Sequence, residues 1–181
     1  DRIYAVKSGM FKTVIVDSHG NDHITGFHLP GELFGLDAIY PKRYVSSAIS
    51  LGTSSLCGID YQQLERLSQE LPSLQRQLLN LLSKEVRTSN SLNVDLSAEQ
   101  KLATFIVTLS SRYRERGYSE SRFHLVMPRR DIANHLNMAP ETVSRLFKRF
   151  QAEGLIEIKR TDLAIINMRT LKAMSGCVAE C

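Results

Sequence analysis

The sequence predicts an α+β fold in three parts: an antiparallel β domain over residues 1–72, a connecting helix and hinge over 73–96, and a winged helix-turn-helix over 97–181. Three observations predict it. Between Ile3 and Ile59, apolar and polar residues alternate in short runs broken by Ser8-Gly9, Asp17-Ser18-His19-Gly20-Asn21, Pro30-Gly31, Tyr40-Pro41 and Leu51-Gly52. From Leu71 to Val86, leucines recur at helical spacing. From Met127 to Phe150, two short helical stripes meet at a brief turn, and a two-strand pattern comes directly after them.

In chain order, Met10 to Val16 and Asp22 to Leu29 make the clearest hairpin. Tyr61 to Glu70 reads as a short helix with Leu64 and Leu67 on one side, and Pro72 ends it. Leu71, Leu74, Leu78 and Leu81 follow a 3-4-3 spacing, widened by Leu79, Leu82 and Val86. Such a stripe more often builds core than a partner interface. The pattern decays through Thr88 to Asp95, whose polar and β-branched residues are poor helix formers, and this marks a domain boundary. Ser97-Ala98-Glu99-Gln100 is a capping box, opening a helix in which Leu102, Phe105, Ile106, Leu109 and Tyr113 share a face and which Gly117 closes. Phe123, Leu125 and Met127 alternate along a short strand.

Ile132, Ala133 and Leu136 then clamp one short helix against the next. In the second, Val143, Leu146, Phe147 and Phe150 recur at i, i+3, i+4 and i+7, leaving Glu141, Ser144, Arg145 and Lys148 on the opposite face. Pro140 suits the first helical position and Gly154 is a natural stop, so the helix runs from about Pro140 to Glu153. A helix that exposes a guanidinium fork, a carboxylate and a hydroxyl near its start can read base edges in a major groove. An ordinary charged surface helix is the plain alternative. The next residues weigh against it: Leu155 to Lys159, a turn at Arg160-Thr161-Asp162, and Leu163 to Asn167 form a hairpin, and helix-turn-helix plus hairpin is a winged helix.

Composition agrees. The 181 residues, 43% hydrophobic and 23% charged, suffice for one or two small domains. No apolar run approaches the roughly 20 residues of a membrane span, so no membrane partner is expected. Asp1-Arg2-Ile3-Tyr4 shows neither signal peptide nor initiator Met, and the chain reads as an N-terminally incomplete piece of a cytoplasmic protein. Residues 98–181 hold 14 Lys and Arg against 9 Asp and Glu, whereas residues 1–97 hold 9 against 10, so the positive charge lies with the helix-turn-helix. Cys57, Cys177 and Cys181 are too scattered for a disulfide framework and fit a reducing compartment. The five histidines lack zinc-ligand spacing, and no nucleophile motif, P-loop or dinucleotide fingerprint occurs. Asp37 with His28 or Glu32 is the nearest grouping of titratable residues to an active site, and it is too sparse; no enzyme is expected.

Arg129 to Gln151, with Glu141-Thr142-Val143-Ser144-Arg145 at its centre and Gly154-Leu155-Ile156 after it, closely resembles the CRP/FNR superfamily of bacterial transcription regulators. The Glu-x-x-Ser-Arg form looks like the FNR branch. The resemblance implies a homodimeric activator whose partners are double-stranded DNA and RNA polymerase. In that branch these three side chains read the half-site TTGAT, which implies base-reading roles for Glu141, Ser144 and Arg145; Thr142, Lys148 and Arg129 complete the expected DNA-contacting set. Ala139 departs from the pattern, since the family commonly caps this helix with a hydroxyl residue.

Gly26 to Ile39 resembles the small-molecule pocket cassette of the same superfamily's β-roll, a jelly-roll sensor domain of the cyclic-nucleotide-binding kind whose N-terminal part is here missing. In its cyclic-nucleotide members an Arg-Ser/Thr-Ala run comes after the cassette, and the arginine neutralises the phosphate. The corresponding run here is Tyr44-Val45-Ser46, with Arg43 one residue early, and a one-residue slip reverses the face of a strand side chain. Cyclic nucleotide is therefore not an expected ligand. Family position points the leucine helix toward dimerisation through Leu74, Leu78 and Leu81, and makes the hinge about three residues short. Cys57 falls where oxygen-sensing FNR proteins place the fourth ligand of a 4Fe-4S cluster. The other three come from an N-terminal cysteine group that this chain lacks, so a cluster is expected only in the intact protein. The alternative is a small buried cysteine in the strand core. The implied function is thus a DNA-binding regulator answering to oxygen or redox state. A family member with another signal or none, or a winged helix used for protein contact, stands as the alternative.

Overall fold

The structure, a computed structural model, describes residues 2–40, 42–91 and 96–175. It divides into two compact units, Asp1–Asp95 and Leu96–Cys181.

In the first unit, strands β1 (Arg2–Ser8), β2 (Phe11–Val16), β3 (Asp22–His28), β4 (Leu33–Phe34), β5 (Ser47–Ser50) and β6 (Ser55–Asp60) form two antiparallel sheets, ordered β4-β1-β6 and β3-β2-β5. The predicted hairpin is β2–β3, with Thr13 opposite Gly26 and Val16 opposite Asp22. Ile3 and Val6 of β1, Phe11 and Val14 of β2, and Ile24 and Phe27 of β3 are buried, each pair three residues apart and so off strict alternation, in strands whose pairing carries register shifts after Val6 and between Thr13 and Val14. Phe34 is a hub there: its ring lies 5.7 Å from Phe11, 5.6 Å from Tyr4 and 5.2 Å from His28. Gly9 joins β1 to β2 at φ 75°, where an added Cβ would lie 2.6 Å from the Thr53 carbonyl oxygen, so only glycine fits.

Cys57 lies on β6 opposite Ala5 and is exposed, so the reading of it as a buried core residue is corrected. The cause is its sheet position: β6 is an edge strand of its sheet and Ser55 to Gly58 are all exposed.

Helix α1 (Tyr61–Glu70) is capped by Asp60, whose carboxylate accepts from Gln63 N at 3.2 Å. Pro72 does more than end it. It is the first residue of α2 (Pro72–Ser91), where its missing N–H costs nothing. The helix continues through the Thr88–Ser91 run in which the sequence pattern decays, because extending an established helix adds one hydrogen bond per residue fixed. Residues 92–95, the rest of the expected hinge, lie outside the described residues, as do Cys177 and Cys181.

The second unit opens with α3 (Ala98–Glu115), and both hydrogen bonds of the Ser97–Gln100 capping box are present. Its buried face carries Leu102, Phe105, Ile106 and Leu109. Then come β7 (Arg122–His124), α4 (Arg129–His135), α5 (Pro140–Ala152), β8 (Ile156–Lys159), β9 (Asp162–Ile165) and α6 (Met168–Met174), with the strands in order β7-β9-β8. The sequence pattern gives no sign of α6: a Met-Arg-Thr-Leu-Lys-Ala-Met run of seven residues is too short for a clear stripe. Asn167 caps it by accepting from Thr170 N at 3.0 Å, and Leu171 is fully buried where α6 packs on α3.

Candidate nucleic-acid interface

The helix-turn-helix is built from its core outward. Ile132 and Ala133 of α4 and Val143, Phe147 and Phe150 of α5 are at most 2% exposed, which fixes the rotation of both helices. Between them the chain turns at Asn137, in the left-handed region at φ 55°, and Met138 N donates to Ala133 O at 2.8 Å. Pro140 begins α5, and Ala139 at its N-cap makes no side-chain hydrogen bond. On α3, Phe105 meets the ring of His135 edge-on at 6.0 Å, holding α4 in place.

With the apolar stripe buried, the opposite face of α5 is open. Glu141, Arg145 and Lys148 are exposed, while Thr142 and Ser144 are half-buried between them. An Arg145 guanidinium nitrogen lies 3.4 Å from Thr142 Oγ1, which leans the fork along the first turn of the helix. The structure therefore presents the predicted side chains as one row on one face.

Arg129 behaves differently from these. Its guanidinium carbon lies 3.7 Å above the Phe147 ring, and the side chain is half-buried. Burial draws its pKa down from the ordinary arginine value, and an arginine nevertheless keeps its charge. Its neighbour Arg130 is 81% exposed and lies 3.6 Å from the buried carboxylate of Asp131. Arg149 is a cation of α5 that does not face outward freely. It donates to Glu153 at 2.7 Å and to Glu99 in the first turn of α3, and these two carboxylates raise its pKa, Glu153 foremost.

The wing is a two-residue turn. Lys159 pairs with Asp162, and Arg160 adopts φ 59° at the tip with its side chain exposed. On the sheet's outer face, His124 meets Asp162 at 2.6 Å and Lys159 meets Glu157 at 2.8 Å. Sequence reasoning missed Arg130, at the start of α4, and Arg160, at the wing tip, as exposed cations; the signal was there, in one residue following Arg129 and one sitting at a predicted turn.

Other candidate residues are spent locally. Asp37 accepts from the 45–46 segment, Glu32 Oε2 accepts from Leu29 N at 2.7 Å, and His28 Nε2 bonds Thr13 Oγ1 at 3.0 Å. They do not converge. His19 and His23 are exposed as expected, but His23 also pairs with Asp17 at 2.9 Å across the β2–β3 turn. That contact, with the Asn21 and His19 amides, holds the Asp17 carboxyl well below the usual range. No group of three or more potential metal-ligating side chains lies together among the described residues, and none of the helices is long and apolar enough to cross a membrane.

Residues 100–174 match the Crp-like helix-turn-helix domain, and residues 1–70 match the cyclic nucleotide-binding domain. The chain is 44% identical over 177 residues to the transcriptional activator protein Anr of Pseudomonas aeruginosa, covering 96% of this chain and 72% of that protein. It is 40% identical over 177 residues to the fumarate and nitrate reduction regulatory protein of Salmonella typhimurium, and equally to the anaerobic regulatory protein of Aggregatibacter actinomycetemcomitans; the match covers 96% of this chain in both cases, and 71% and 69% of those proteins. Among solved structures, FixK2 from Bradyrhizobium japonicum superposes with a TM-score of 0.85 at 24% identity, over 99% of this chain and 89% of that one, a likeness of fold.

Proposed function

Because this chain belongs to the CRP/FNR family of transcription regulators, we propose that it is an FNR-type member that binds a TTGAT-like palindrome as a homodimer and answers to oxygen or redox state. The family regulates transcription and is not enzymatic, in keeping with the composition and motifs of the chain. The observation that carries the DNA reading is the row Glu141, Ser144 and Arg145 on the open face of α5, with Lys148 on the same helix and Arg129 stacked on the α5 residue Phe147. A TTGAT half-site contains one G·C pair. Its guanine presents O6 and N7 to a guanidinium fork such as Arg145, and its cytosine presents N4–H to a carboxylate such as Glu141. Lysine and arginine at the flanks meet phosphates, which sets register without reading sequence.

The dimer reading rests on α2. Leu79 is 60%, Leu82 41% and Val86 61% exposed along its open side, while Leu74, Leu78 and Leu81 are half-buried. A second copy of the helix would cover that stripe, with Leu74, Leu78 and Leu81 at its margin. RNA polymerase is the natural further partner of an activator, and the cytoplasm the place of action.

The oxygen reading rests on the relatives named for anaerobic and fumarate–nitrate regulation and on Cys57. An exposed thiol can become a thiolate ligand, but one donor does not make a 4Fe-4S site, and the described residues supply no companion set. The missing thiolates would have to come from other parts of the intact protein. The test is the full-length protein purified without oxygen. A broad visible absorption that Cys57→Ser abolishes, together with palindrome binding that air weakens, supports this reading; a colourless protein that binds DNA equally with and without air refutes it and leaves a regulator with another signal.

A further inference from the structure

We propose that the last turn of α5 is a clamp for DNA recognition, in which Arg149 and Gln151 hold the angle of the reading helix without touching DNA themselves. Two ties leave this turn. Arg149 Nε donates to Glu153 Oε1 at 2.7 Å, and its Nη1 donates to Glu99 Oε1 in the first turn of α3. Gln151 Oε1 accepts from Ile158 N of β8 at 3.0 Å. The helix is thereby fastened to the helix that opens the unit and to the first strand of the wing, with the buried Phe150 between the two ties.

Arg149 follows Lys148 directly, and a cation at that place on a reading helix would ordinarily meet a phosphate. Its surroundings argue otherwise. The guanidinium faces the carboxylates of Glu99 and Glu153, so the cluster holds one positive charge against two negative ones and repels a phosphate. The positions also suit the helix dipoles: Arg149 lies in the last turn of α5 and Glu99 in the first turn of α3. All three side chains are partly exposed, so these ties add little to overall stability, which the buried stripe of α5 supplies.

What the ties control is the far end of a lever. At 1.5 Å of rise per residue, Arg149 lies about 6 Å along the axis from Arg145 and about 12 Å from Glu141. The stripe Val143, Leu146, Phe147 and Phe150 fixes rotation about that axis, and the two ties fix its tilt. Hydrogen bonds to base edges weaken steeply with misalignment, whereas a flexible lysine follows a phosphate through a small tilt. Losing a tie therefore costs base reading before it costs general affinity. This inference rests on the base-reading role of α5.

The experiment measures binding of the full chain to a TTGAT palindrome and to random duplex at several salt concentrations, for wild type, Arg149→Met, Glu99→Gln, their double variant and Gln151→Ala, with circular dichroism as the check of folding. Arg149→Met and Glu99→Gln change the net charge in opposite directions, so a general charge effect would move DNA binding in opposite directions. The clamp predicts one direction for both: the preference for the palindrome over random duplex falls about three- to fivefold, with the salt slope unchanged. The double variant should be no worse than Arg149→Met, since both lack the same tie. Gln151→Ala should lower the preference with no change of charge, and with Glu99→Gln it decides the matter if Arg149→Met fails to fold. An Arg149→Met protein that loses both duplexes alike and about one phosphate contact from its salt slope would make Arg149 a phosphate contact and overturn the proposal. A wild type without preference for the palindrome would sink the base-reading face and the clamp with it, whereas a discriminating wild type whose folded variants discriminate equally well would sink the clamp alone.

Discussion

The guanidinium of Arg129, the first residue of α4, lies over the ring of Phe147 in the core stripe of α5, its carbon 3.7 Å from the ring centroid. The contact joins the two helices of the motif through a residue expected to meet DNA. Its stem and plane cover an aromatic ring, while its charge stays at the surface.

Arg129→Ala should therefore do two things at once. It should lower stability by about 0.5–2 kcal/mol through the lost stacking and covered area, and reduce the slope of log affinity against log salt by about one phosphate contact. Arg129→Lys should restore the salt slope but not the stability, since an ammonium lacks the stacking plane. Thermal unfolding and binding titrations at several salt concentrations check both. An alanine variant with unchanged Tm would show that the stacking contributes nothing.

Ala139 occupies an N-cap with the right backbone, φ −69° and ψ 140°, but no side chain to accept from the first turn of α5. Ala139→Ser should supply that acceptor and raise stability by about 1 kcal/mol, read as a Tm increase of about 4 °C. No increase would mean that the first-turn amides already have equivalent partners.

On α2, the exposure pattern separates two classes of leucine. Leu82→Glu and Val86→Glu should yield monomers by sedimentation whose Tm no longer depends on protein concentration, because both side chains face open solvent in the single chain and their substitution costs only the dimer. Leu78→Glu and Leu81→Glu should also lower Tm, since both are half-buried in it. Dimers that survive Leu82→Glu and Val86→Glu would place the interface elsewhere.

The amino-acid sequence makes some of these features plain and hides others, and the physics separates them. The stripe Val143, Leu146, Phe147 and Phe150 and the Ser97–Gln100 capping box rest on local spacing, and the structure shows both. The end of α2 is not legible, because propensity is a weak signal once a long helix is under way. Cys57 misleads as a core candidate because residue type reports average burial and not a place on an edge strand. The remaining features join residues distant in sequence: Arg129 over Phe147, Arg149 to Glu99, and Asp37 to Ser46. No periodicity encodes such pairs; they exist only after the backbone has brought the elements together.

The central claim is that the open face of α5 reads bases, and it is tested most directly by measuring binding of wild type, Arg145→Ala and Lys148→Ala to a TTGAT palindrome with half-sites about 34 Å apart, to the same site with the G·C pair changed, and to random duplex. Arg145→Ala should lose about 1–3 kcal/mol on the cognate site and be nearly indifferent to the changed base pair, whereas Lys148→Ala should weaken all three duplexes alike. Equal losses from both variants on cognate and random DNA would contradict base reading by this face.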